Sequence, residues 1–127
     1  MVTKKIKITI KPLEESFKET RKFFSNLDKG IIKQHTPTIN FEDFNTYKKF
    51  LTQKRLDLLN IIKTTKPKTI KHLSVMANRN FKNIHEDIKI LESLELIQLK
   101  KTRLGLMPVV LYDEIDLNIK IPLTISR

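Results

Sequence analysis

Between Leu58 and His85 the chain carries Lys63, Lys66, Lys68, Lys71, Arg79 and Lys82 and no acidic residue, with Asp57 and Glu86 closing the window on either side. Cationic groups gathered without counter-charge attract polyanions. Lys82, Asn83 and His85 lie together at the end of this window. These types read base edges, since Lys donates to guanine and an Asn amide pairs bidentately with adenine. Lys68, Lys71, Arg79, Asn80 and Lys89 are suited to phosphate oxygens, which set register rather than sequence. Lys100, Lys101 and Arg103 form a second basic group able to reach an adjacent minor groove or its phosphates.

Other chemistries find little support. His35, His72 and His85 are scattered without the spacing of a zinc site, and consecutive His85, Glu86 and Asp87 diverge around a helix instead of converging. The absence of cysteine removes disulfides, thiolate ligands and cysteine nucleophiles together. Two glycines, Gly30 and Gly105, cannot build a phosphate-cradling loop. The expectation is a binding protein and not an enzyme, with no cofactor and no metal.

A formal net charge of +11 on 127 residues agrees with a polyanionic partner. The excess is +5 over residues 1–40, +4 over 41–95 and +2 over 96–127, so it is not confined to a tail. The longest apolar run, Val109 to Tyr112, is too short to cross a bilayer, and no signal-like segment follows Met1. A cytoplasmic protein without a membrane partner is expected.

Positioning these groups requires a scaffold, and the hydrophobic pattern supplies one. Ile6, Ile8 and Ile10 alternate as in a half-buried strand, and Pro12 opens a helix reaching about Leu27, with Gly30 at its end. A second extended piece, Ile32 to Phe41, contains Pro37 and suits a sheet edge. Helical pattern resumes at Glu42 with Phe44, Tyr47, Phe50 and Leu51. Thr52 caps the next helix, whose stripe of Leu56, Leu59 and Ile62 is widened by Leu58 and Ile61 until Pro67 stops it.

Thr69 starts a short helix with Ile70, Leu73 and Met76 or Ala77 inward. After the polar turn Asn78-Arg79-Asn80, a longer helix places Phe81, Ile84, Ile88, Leu91 and Leu94 inward. Two strands then flank a turn over Lys100 to Gly105, and a last strand runs from Ile115 to Leu123. The apolar terminal strands need cover, either from each other or from a second copy.

The runs Leu51 to Leu59, Thr69 to Leu73, Asn83 to Leu91 and Pro108 to Ile115 resemble a family of small archaeal and bacterial winged helix-turn-helix regulators, related in fold to the multiple-antibiotic-resistance repressors. The resemblance spans residues 41–123 and is looser over 1–40. It implies a transcriptional regulator and, for members encoded beside a small toxin of the TumE type, an antitoxin and autorepressor. Glu95 stands where such regulators usually have glycine.

The expected fold is α+β: a winged helix-turn-helix with a three-helix core and β-hairpin wing, an N-terminal strand-helix-strand extension over residues 1–40, and a DNA-binding domain over 41–127 that includes the C-terminal strand. The expected activity is sequence-specific binding of double-stranded DNA by a homodimeric repressor. The alternative is an antitoxin or other module that neutralises a toxin-like partner protein, with DNA binding secondary.

Overall fold

The computed structural model describes residues 4–12 and 37–119. The expected helix from Pro12 to Leu27, Gly30, the start of the piece from Ile32, and the end of the last strand at Leu123 lie outside those residues. In chain order the elements are β1 (Lys5–Ile10), β2 (Thr38–Phe41), α1 (Phe44–Phe50), α2 (Gln53–Thr65), α3 (Ile70–Ala77), α4 (Phe81–Ser93), β3 (Ile97–Thr102), β4 (Gly105–Val110) and β5 (Glu114–Ile119). The fold is α+β, with the strands in two sheets. Two compact units result, one of residues up to Lys49 with those from Glu114 on, the other Phe50–Asp113. The break expected at residue 40 therefore falls at Lys49, and the C-terminal strand joins the first unit.

In the first unit β1 lies between β2 and β5, parallel to both, with Ile8 opposite Ile39 and Leu117. Ile6, Ile8 and Ile10 are buried as their alternation predicts, but Thr9 is buried too, so both faces of this central strand are covered. The Thr9 hydroxyl donates to Asn40 Oδ1 at 2.8 Å, and Asn40 Nδ2 donates to the Lys11 carbonyl at 3.2 Å. These bonds satisfy polar groups that burial would otherwise penalise. Among the described residues β2 is an edge strand, as expected for the segment that follows Pro37, and the Pro37 carbonyl accepts from the Lys7 amide at 2.9 Å. Asp43 caps α1 by accepting from the Thr46 amide at 2.8 Å.

The two terminal strands thus pair with each other, with Lys5 opposite Glu114 and Ile10 opposite Ile119. A homodimer inferred from unmatched strands loses that argument.

The second unit buries Leu58, Leu59 and Ile62 of α2, Ile70 and Leu73 of α3, and Ile84, Ile88 and Leu91 of α4, with Leu96 and Ile97 beyond. Thr52, Thr69 and Asn80 cap α2, α3 and α4 by accepting from the amides of Arg55, His72 and Lys82. The burial departs from the expected inward stripes at several positions. Leu56, Ile61 and Leu94 are only half-buried, Met76 is exposed, and Ala77 is half-buried while Ser74 takes the inward place. Phe81 is 49% exposed. As the first residue of α4 it leans back past the helix start, where the polar turn offers no apolar neighbour in sequence.

All three helices of this unit end without glycine. α2 stops at Lys66, left-handed at φ 50°, whose amide bonds to the Ile62 carbonyl; Pro67 then has no amide with which to extend the cap. α3 ends on left-handed Asn78, with Arg79 N–H reaching the Ser74 carbonyl at 3.1 Å. After α4, Glu95 adopts φ 60°; its amide donates to the Glu92 carbonyl at 2.9 Å and the Leu96 amide to the Leu91 carbonyl at 3.1 Å. This is a Schellman motif, closed by buried Leu91 and Leu96. Glu95 makes the turn that a glycine makes more easily.

β3 and β4 form an antiparallel hairpin in which Lys100 faces Met107, Lys101 faces Leu106 and Thr102 faces Gly105. The connection expected over Lys100 to Gly105 is shorter, with only Arg103 and Leu104 between the strands. Gly105 stands at φ 131°, a conformation open to residues without a Cβ. Thr102 Oγ1 donates to the Gly105 carbonyl at 2.9 Å and accepts from the Leu104 amide at 3.2 Å, which closes the turn.

Candidate nucleic-acid interface

α4 is fixed by a carboxylate on its inward side. Asp87 lies between Ile84 and Ile88 on the buried stripe and is 8% exposed. It accepts from Arg55 Nε of α2 at 3.1 Å and from Arg79 Nη2 of the preceding turn at 2.8 Å. Arg55 Nη1 also donates to the Phe50 carbonyl at 2.9 Å. A buried carboxylate needs such partners, because an unpaired one would be costly. The brace ties the angle of α4 to both α2 and the turn. Sequence reasoning missed it, although an acid at i+3 from Ile84 and i−4 from Leu91 is the signal that could have found it.

On the opposite side of α4, Lys82, Glu86 and Lys89 follow at helical spacing and are exposed. Asn83 is exposed on one flank of that row. His85 falls on the other flank, half-buried and stacked on Phe81 at 5.8 Å with 30° between the rings. Of the three base-reading candidates, Lys82 and Asn83 are thus open to a partner, while His85 is held by its neighbour.

The phosphate candidates separate in the same way. Lys68, Lys71 and Lys89 are exposed, and no ion pair engages them among the described residues. Arg79 is committed to Asp87, and the Asn80 side chain accepts from the Lys82 amide at 2.8 Å. The backbone of the turn remains beside these engaged side chains, and Ser74, Val75, Asn78, Arg79 and Asn80 line an open groove there. Lys63, also in the acid-free window, pairs with Asp113 at 2.6 Å.

Strand alternation divides the hairpin group. Lys100 shares a face with Met107 and lines a cleft with Lys63 and Lys66, whereas Lys101 points to the opposite face with Leu106 and Arg103 stands in the turn. The helical pair also carries apolar surface that the sequence reading did not anticipate: Val75 is 71% exposed, and Met76 joins Phe81 outside the core. Among the described residues no group of three His, Asp or Glu is placed to hold a metal ion, and no helix is long and apolar enough to cross a membrane.

The second unit is thus a three-helix and hairpin body that presents a braced helix with an exposed lysine and asparagine in its first turn. The chain belongs to the HVO_A0114 family, whose model matches residues 50–117. That span takes in the whole second unit and the start of β5. Comparison with curated proteins and with solved structures gives no match.

Proposed function

We propose that residues 50–113 act as a winged helix-turn-helix that binds double-stranded DNA, with α4 entering the major groove and the β3–β4 hairpin as the wing. The observation that carries this reading is the first turn of α4: Lys82 and Asn83 are exposed at its start while Asp87 anchors its inner side to Arg55 and Arg79. Lys82 and Asn83 serve as base readers, and Lys68, Lys71, Lys89, Lys101 and Arg103 hold phosphates. Regulation of transcription follows from occupying the site, and repression by occlusion is the simplest output. Homodimerisation belongs to the proposal because inverted half-sites need two reading heads. Among the described residues the outer edge of β5 is unpaired, and Leu117 and Ile119 of that strand are exposed, which leaves a seat for a second copy. Catalysis has no part in this reading.

Selection from random duplexes tests the proposal, followed by anisotropy titrations at several salt concentrations. A selected duplex should bind more tightly than a random one, with log affinity falling against log salt by about 0.9 for each phosphate contacted. Equal binding of selected and random duplexes would replace regulation by a nonspecific role.

A second reading, neutralisation of a partner protein, is favoured by exposed Val75, Met76 and Phe81, because solvent-exposed apolar groups on two helices suit a protein surface. Lys82→Glu with Asn83→Ala separates the two. Loss of duplex binding with partner capture intact assigns two jobs to the chain.

A further inference from the structure

The cleft shared by Lys63, Lys66 and Lys100 lies within the second unit, between the C-terminal end of α2 and the hairpin. Its volume is about 390 Å³, and Ile62, Pro67, Met107 and Val109 are among the residues that wall it. Cavities of this size and apolar character bury a small organic molecule. We propose that it is a binding site for an amphipathic organic anion, an acyl chain or ring that bears one carboxylate.

Charge selects the occupant. Lysines beside apolar walls lay their methylene stems along the wall and keep the ammonium at the mouth. Lys63 is neutralised by Asp113 at 2.6 Å, but among the described residues no carboxylate pairs with Lys66 or Lys100. Two uncompensated ammonium groups thus stand over an apolar floor. A neutral hydrocarbon leaves them unused, and a small polyanion leaves the floor empty; a carboxylate on an apolar body engages both. The backbone helps hold one of the two, since Lys66 occupies a left-handed position fixed between the Ile62 carbonyl and buried Pro67. The site does not depend on the proposed DNA-binding role, because Lys100 faces away from Lys101 on the hairpin.

Titration of the whole chain with sodium octanoate, followed by methyl resonances in NMR, tests the inference. The methyl signals of Ile62, Met107 and Val109 should shift and saturate with one common dissociation constant. Octanol and acetate, the body and the head taken separately, should each bind at least about ten-fold more weakly, because each loses one half of the recognition. Lys66→Gln with Lys100→Gln should weaken octanoate by about ten-fold or more while the thermal midpoint stays in place. The inference is overturned if octanol matches octanoate, if the double variant binds as the parent does, or if shifts fail to saturate. It is overturned equally if they gather on Val75 and Met76 instead of the cleft.

Discussion

Arg79 Nη2 donates to Asp87 Oδ2 at 2.8 Å, which clamps the turn before α4 onto the second turn of that helix. The same carboxylate receives Arg55 from α2, so its removal strands two guanidinium groups that are each less than a quarter exposed. Asp87→Ala should destabilise the protein by about 2–4 kcal/mol, toward the lower part of the range for broken buried pairs because some solvent reaches both arginines. Chemical denaturation checks this through a lowered midpoint at constant slope. A loss within experimental error would mean that the brace is ornamental.

Glu95 holds φ 60° at the end of α4. A residue with a Cβ is disfavoured there, and glycine is not, although glycine gives back some of the gain as entropy of the unfolded chain. Glu95→Gly should stabilise the protein by about 0.5–1 kcal/mol, and Glu95→Val should destabilise it. Thermal melts of the pair give the signs directly.

The hairpin lysines should differ in their effect on duplex binding. Lys101→Ala is expected to lower the magnitude of the salt slope by about 1, whereas Lys100→Ala leaves it unchanged, since adjacent strand residues face opposite ways. Equal effects in anisotropy titrations would place both side chains on the polyanion.

Asn83→Ala should cost about 1–3 kcal/mol on a selected duplex and relax preference at one base pair. Lys71→Ala should weaken selected and random duplexes alike. If Asn83→Ala also weakens both equally, Asn83 is a backbone contact and base readout falls to Lys82.

Phe81→Ser tests a departure from the apolar pattern. A core phenylalanine truncated to a small residue costs about 3–5 kcal/mol, but Phe81 is 49% exposed and stacks on His85, so a smaller loss of about 1 kcal/mol is expected. Denaturant midpoints distinguish the two.

What the sequence disclosed and what it hid follow from range. The caps at Thr52, Thr69 and Asn80 and the stop at Pro67 depend on bonds within a few residues, and each was legible. The Asp87 brace was not, because Arg55 lies 32 positions away and periodicity reports a face without naming what meets it. Phe81 was misplaced since spacing alone ignores the backward lean of helical side chains at a first turn. Lys100, Lys101 and Arg103 read as one basic tip until strand register put two of them on opposite faces. Lys82 and Asn83 were visible as types; their openness became clear only with Arg79 and Asn80 accounted for.

The pairing of β1 with β5 also orders events during synthesis. Lys5 leaves the ribosome early, yet its partner Glu114 follows only after every residue of the second unit has been made. The three helices and hairpin, whose contacts lie within one continuous stretch, can therefore assemble while β1 still waits for β5. The β1–β5 pairing is a clasp fastened last, and a nascent chain arrested before residue 114 should hold a folded middle and an isoleucine-rich leading strand whose β5 side is still open.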